Sequence, residues 1–107
     1  MIFVETPPFE RVREKYLDDN QFRLLQATLM ARPEAGAIIV GSGGIRKIRW
    51  SVEGRGKRGG LRVIYFWLSA EGHVYFLTVY RKSEVADLSK DEIRALREIV
   101  RQIERQR

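Results

Sequence analysis

The chain contains no cysteine. Disulfides, thiolate nucleophiles and cysteine-ligated metals are therefore excluded, a usage that agrees with a reducing compartment such as the cytoplasm. Histidine is nearly as scarce. His73 is the only one in 107 residues, so no pair of imidazoles can divide acid and base roles. It follows the expected turn Ser69–Gly72 and reads as a solvent-facing hairpin residue. Proline occurs three times. No apolar run approaches the roughly 20 residues that a membrane-spanning helix needs. Met1–Pro8 lacks the basic start and apolar stretch of a secretory leader. Acid is the minority charge, with 14 Asp and Glu against 20 Lys and Arg. The resulting +6 charge and pI near 10.1 point to a polyanionic partner, nucleic acid first.

What is present suits one packed domain. Apolar residues make up 44% of the chain, and two Trp, four Tyr and five Phe are spread along it. Ile2–Val4 reads as a short strand. Thr6 is placed to cap a helix that has Pro7 at its first position, where a missing N–H costs nothing. Phe9, Val12 and Tyr16 recur at helical spacing. A second helix starts at Asp18, which has capping-box spacing to Gln21. It buries Phe22, Leu25 and Leu29 and stops before Pro33. From Ala37 to Tyr80 the texture turns to β-branched and aromatic residues punctuated by glycine. Ile45–Val52 reads as a strand. Leu61–Leu68 is almost wholly apolar, as a central strand covered on both faces would be. His73–Tyr80 returns as its hairpin partner. Ser89 and Glu92 form a Ser-x-x-Glu capping box, with Ile93, Leu96, Val100 and Ile103 on one stripe behind it. The expected fold is α+β: an N-terminal strand and helical hairpin packed on a mostly antiparallel sheet, then a C-terminal helix.

The positive charge is concentrated. Arg46, Lys47, Arg49, Arg55, Lys57, Arg58 and Arg62 lie within one strand-loop-strand stretch, opposed only by Glu53. Glycines in the loop let backbone approach a ligand closely, and Arg and Lys make phosphate contacts. Taken alone, the loop reads equally well as a solvated hairpin tip. Gly54, Gly56 and Gly59 match G-x-G-x-x-G, yet they lie between two strands and open no helix, so a dinucleotide site is rejected. Period two puts Lys47 and Arg49 on one strand face. Arg62 interrupts an apolar strand, which is costly unless it meets an anion or a carboxylate. Lys82 closes the set where Tyr80 and Arg81 leave the last strand.

These segments resemble a known family. Gly43-Gly44-Ile45-Arg46-Lys47-Ile48-Arg49 looks like the opening of the sheet in HigB-type toxins of the RelE superfamily. Gly56-Lys57-Arg58-Gly59-Gly60-Leu61-Arg62-Val63-Ile64-Tyr65 is similar to their next strand. Phe76–Glu84 and Asp87-Leu88-Ser89 are similar to the last strand and the entry of the final helix. The matches run in order and, with the helical hairpin, cover nearly the whole chain as a single domain, 1–107. The resemblance implies a cytoplasmic toxin that cleaves messenger RNA in the ribosomal A site, with no metal and no cofactor. The ribose 2′-hydroxyl attacks the adjacent phosphate, leaving a cyclic phosphate and a free 5′-hydroxyl. It also implies a cognate antitoxin of the helix-turn-helix HigA type, through which the pair meets operator DNA.

Mapped onto this chain, the family's strand-borne basic pair falls on Lys47 and Arg49, its strand arginine on Arg62, and its basic residue after the last strand on Lys82. Arg46, Arg55, Lys57, Arg58 and Arg81 are the expected RNA or ribosome contacts. Clustered cations suit Lys47 as general base, with Arg49 and Arg62 clamping the phosphate and Lys82 as acid or further clamp, and the base and acid roles are interchangeable on sequence alone. The family's tyrosine after the last strand has no counterpart in Val85-Ala86-Asp87-Leu88; Tyr80 is an untested substitute, and sheet packing is the readier reading of it. A basic RNA-binding module without cleavage, a protein that binds partners through the Ile93–Ile103 stripe, and a degenerate toxin that still binds antitoxin stay open on sequence alone.

Overall fold

A computed structural model describes residues 1–51 and 60–106. The element order is β1 (Ile2–Glu5), α1 (Pro7–Tyr16), α2 (Asp19–Ala31), β2 (Ala37–Ile38), β3 (Ile45–Trp50), β4 (Leu61–Leu68), β5 (His73–Arg81) and α3 (Lys90–Arg105). Five strands form one sheet in the order β1-β5-β4-β3-β2. β1 runs parallel to β5 and every other pair is antiparallel, so the sheet is mixed. The α+β expectation holds, with three helices among the described residues. Val52, the expected end of the third strand, lies outside the described residues.

Each face of the sheet carries its own core. On one face, Phe9, Leu17, Phe22, Leu25 and Leu29 from the helical hairpin pack on Leu61, Val63, Tyr65, Val74, Phe76 and Val79. Phe76 is the hub, with ring centroids 5.0 Å from Phe9 and 5.1 Å from Phe22. On the other face, Leu96 and Val100 of α3 pack on Ile45, Ile64, Phe66, Leu68, Leu77 and Tyr80. Each such buried aliphatic or aromatic side chain contributes on the order of 1.5–3 kcal/mol. Covering on both faces explains why β4 is apolar nearly throughout.

Local signals set the helix ends. Ser89 and Glu92 make both bonds of the capping box that starts α3. Asp18 caps α2 by accepting the Gln21 N–H at 2.7 Å. Thr6 differs from expectation. It precedes Pro7 in extended conformation but makes no side-chain cap bond. Its hydroxyl instead donates to the Phe76 carbonyl at 2.7 Å. The connection from α2 into β2 is held by Tyr65, whose hydroxyl accepts from the Gly36 N–H at 2.8 Å and donates to the Pro33 carbonyl at 2.7 Å. A Cβ at Gly36 would lie 2.8 Å from the Tyr65 ring, so that position requires glycine.

One irregularity decides which face the end of β5 presents. β4 and β5 pair in register from Leu68↔His73 to Tyr65↔Phe76, then resume at Ile64↔Thr78. Leu77 is the extra residue of a β-bulge. A one-residue insertion exchanges the faces of every later side chain. Val74 and Phe76 face the helical hairpin, whereas Tyr80 faces α3. Among the described residues, no helix is long and apolar enough to cross a membrane.

Candidate active site

Side chains alternate along β3, β4 and β5, and the α3 face collects three of the strand-borne cations, Lys47, Arg49 and Arg62. Ile45, Ile64 and Tyr80 mark that face. Lys47 and Arg49 follow Ile45 at period two, and Arg62 precedes Ile64 at the same period. Register then aligns them. Arg49 is directly opposite Arg62, and Arg62 is directly opposite Tyr80. Lys47 sits one row further along, opposite Ile64. The Lys82 N–H donates to the Gly60 carbonyl at 3.1 Å, so the ladder runs one step past β5 and sets Lys82 at this same end of the sheet.

Two like charges directly opposite on one sheet face repel. Arg49 and Arg62 accept that arrangement, and no carboxylate among the described residues relieves it. Among the described residues, neither they nor Lys82 make an ion pair. Arg62 is half-buried, and among the described residues its guanidinium donates only to the Leu61 carbonyl, at 3.2 Å. The structural salt bridge that would make Arg62 an inert residue is therefore not formed with any described carboxylate.

Lys47 has a neighbour that sequence reasoning missed. Its Nζ lies 3.6 Å from Asp87 Oδ1, on the segment between β5 and α3. Asp87 is exposed, so the pair is a surface ion pair that an incoming anion can displace at small cost. Nothing local in the sequence marks it, because contact between residues 47 and 87 depends on where the connection after β5 lies.

Tyr80 packs in the core on the α3 face, as sheet packing requires, but its hydroxyl does not fit that role. The residue is 7% exposed and the hydroxyl has no hydrogen-bond partner among the described residues. An unsatisfied buried hydroxyl costs about 1–3 kcal/mol. Burial holds the phenol above its ordinary range. Asp87 and Glu92 push the same way, while the Arg62 charge opposes them. Tyr80 also lines a pocket of about 280 Å³ with Thr78, Val85, Leu88, Glu92 and Leu96.

The other expected contacts separate from this cluster. Arg46 faces the helical hairpin and donates to the Gly36 carbonyl at 2.8 Å and the Glu34 carbonyl at 3.3 Å. Arg81 lies 3.4 Å from Glu84 and stacks over Tyr16 at 5.7 Å. Arg55, Lys57 and Arg58 lie outside the described residues. His73 begins β5 at the far end from Tyr80, with Nδ1 3.4 Å from the Tyr75 hydroxyl. Among the described residues, no group of His, Asp or Glu could hold a metal ion.

The model of a known family matches this chain. It is described as the RelE toxin of the RelE/RelB toxin–antitoxin system, and it covers residues 2–106. The chain belongs to the RelE toxin family. A solved structure of E. coli toxin RelE in the free state, carrying two arginine-to-alanine substitutions, has the same fold. It matches with a TM-score of 0.52 at 16% identity, over 79% of this chain and 86% of that one. Identity that low speaks for the fold alone. The family match makes this chain a toxin of a toxin–antitoxin system, and one face of its sheet bears Lys47, Arg49 and Arg62 together.

Proposed function

We infer that this RelE-family toxin is a ribosome-dependent, metal-independent endoribonuclease that cleaves messenger RNA in the ribosomal A site and so inhibits translation. The observation that carries the reading is the Arg49–Arg62 pair. Two guanidinium groups directly opposite each other on one sheet face, unrelieved by any described carboxylate, are what an RNA phosphate would bridge.

Cleavage needs a base for the 2′-hydroxyl, stabilisation of the phosphorane and an acid for the leaving oxygen. Once an RNA phosphate has displaced Asp87, Lys47 releases its own proton to solvent and, as the neutral amine, takes the 2′-hydroxyl proton. The 2′-oxygen bonds to phosphorus, Arg49 and Arg62 hold the non-bridging oxygens, and Lys82 gives a proton to the departing 5′-oxygen. A cyclic phosphate and a free 5′-hydroxyl result. The ribosome contributes by aligning the strand for in-line attack, with Arg55, Lys57 and Arg58 against ribosomal RNA. The toxin works in the cytoplasm and is silenced by a cognate antitoxin of the helix-turn-helix HigA type, which also carries the pair to operator DNA.

Induction of the chain in bacteria, with mapping of messenger RNA 5′ ends, tests the reading. Growth should arrest, and new 5′ ends should appear within translated messages and disappear when initiation is blocked. Arrest should be relieved by the antitoxin. Antitoxin binding without new 5′ ends would make the chain a binding protein that does not cut. Equal cutting of untranslated RNA would remove the ribosome from the mechanism.

A further inference from the structure

The Tyr80 side chain does two separable things. Its ring fills the core between the sheet and α3, which phenylalanine would do as well. Its hydroxyl contributes nothing to that packing and is left without a described partner.

The reason lies in the commitments around it. Two carboxylates reach the hydroxyl electrostatically, and both are engaged elsewhere. Asp87 Oδ1 accepts the Leu88 N–H at 2.9 Å and faces Lys47 at 3.6 Å. Glu92 Oε1 accepts the Ser89 N–H at 2.9 Å in the α3 capping box. The bulge at Leu77 turns Tyr80 onto this face, and register then sets it directly opposite Arg62. Directly opposed side chains on neighbouring antiparallel strands have Cβ atoms about 4.5–5.5 Å apart. Register and the Arg62 charge felt at the phenol place the Tyr80 and Arg62 side chains in one neighbourhood.

We propose that the Tyr80 hydroxyl is a substrate-binding group that donates a hydrogen bond to a non-bridging oxygen of the RNA phosphate held by Arg62. The proposal rests on the nuclease reading above and adds a neutral donor to its cations. Tyr80 keeps its proton throughout, and proton transfer remains with Lys47 and Lys82. As the phosphate passes to a phosphorane its non-bridging oxygens gain charge, so the bond strengthens in the transition state and accelerates the step.

The test compares wild type and Tyr80→Phe in single-turnover cleavage on ribosomes programmed with one defined message, alongside thermal melts. Tyr80→Phe should melt at the same temperature or higher, because it removes only an unpaired buried hydroxyl. Its cleavage rate should fall by roughly 100-fold. A message with sulfur in place of the contacted non-bridging oxygen, a poorer acceptor, should shrink the gap between the two proteins. Wild-type rates in the variant, on ribosomes where the wild type cuts, overturn the role of Tyr80 and leave the nuclease reading standing. A defect that comes with a lowered melting temperature and ignores the sulfur makes the hydroxyl structural and overturns it too. A wild type that cuts nothing overturns the nuclease reading and, with it, this one.

Discussion

The Thr6 hydroxyl reaches 70 residues along the chain to donate to the Phe76 carbonyl at 2.7 Å, and the Leu77 carbonyl lies 3.4 Å from the same oxygen. Phe76 and Leu77 are the residues at the bulge of β5, where the ladder with β4 shifts by one. The link between β1 and α1 thus fastens the irregularity that presents Tyr80 to the α3 face. Thr6→Val keeps the shape and removes the donor. The Thr6 N–H still bonds the Phe76 carbonyl at 3.1 Å, so the expected loss is modest, about 1 kcal/mol in urea denaturation. Message cleavage should fall further than the unfolded fraction explains. Unchanged stability would show that strand pairing alone holds the bulge.

Alkaline pH should unfold the domain through Tyr65. Burial holds its phenol above the usual tyrosine value, although the Gly36 N–H and the Arg46 charge pull it down. The unfolded chain releases this proton near about pH 10, and the folded chain keeps it to higher pH. Stability from this group is therefore complete below about pH 10 and lost as pH rises through the folded value. Tyr80 acts in the same direction. Melting temperature should decline above about pH 10. Tyr65→Phe should be less stable at neutral pH, since it strands the Gly36 N–H and the Pro33 carbonyl, but its alkaline decline should be shallower. Parallel declines in the two proteins would remove Tyr65 from the effect.

Much of the fold was legible because its signals are local. The capping box at Ser89 and the stripe Ile93, Leu96, Val100 and Ile103 specify α3 from neighbouring residues alone. The apolar run Leu61–Leu68 identifies a strand buried on both faces. Thr6 misled because its side chain answers to a carbonyl 70 positions away rather than to its own helix. β2 is two exposed residues, Ala37 and Ile38, too short to show a period. In the site, period two was enough to unite Lys47 with Arg49. Opposing Arg62 to Arg49 and Tyr80 required register, and the face of Tyr80 required the bulge. Counting by twos from Phe76 would have put Tyr80 on the hairpin side. Asp87 belongs to an irregular connection, so no periodicity could bring it to Lys47.

Arg46 and Arg49 are three residues apart on β3 and should behave oppositely. Arg46 fastens the connection after α2 through the Glu34 and Gly36 carbonyls, so Arg46→Ala should cost about 1 kcal/mol and leave cleavage per folded molecule unchanged. Arg49 is exposed and repels Arg62, so Arg49→Ala should be neutral or stabilising by a few tenths of a kcal/mol. It should nevertheless weaken cleavage. The salt dependence of RNA binding should become shallower by roughly one unit of log–log slope, as removal of one phosphate contact requires. Denaturation, single-turnover cleavage and salt titration separate the two. Equal effects from both would mean that the sheet face does not decide which arginine meets RNA.

Arg62 carries the greatest weight in the proposed chemistry and little in the fold. Its only described side-chain bond is to the Leu61 carbonyl at 3.2 Å, so Arg62→Ala should change stability by no more than about 1 kcal/mol. Cleavage of translated messages should fall by about 10²–10³, the usual cost of losing one donor to developing charge. Arg62→Lys separates two explanations. If Arg62 only supplies positive charge, lysine should restore most of the rate. If the planar fork bridges two phosphate oxygens, lysine keeps the charge, loses the geometry and recovers little. Single-turnover rates of the three proteins on one programmed message decide. Undiminished cleavage by the alanine variant would take Arg62 out of the mechanism and with it the significance of the row that Arg49, Arg62 and Tyr80 form.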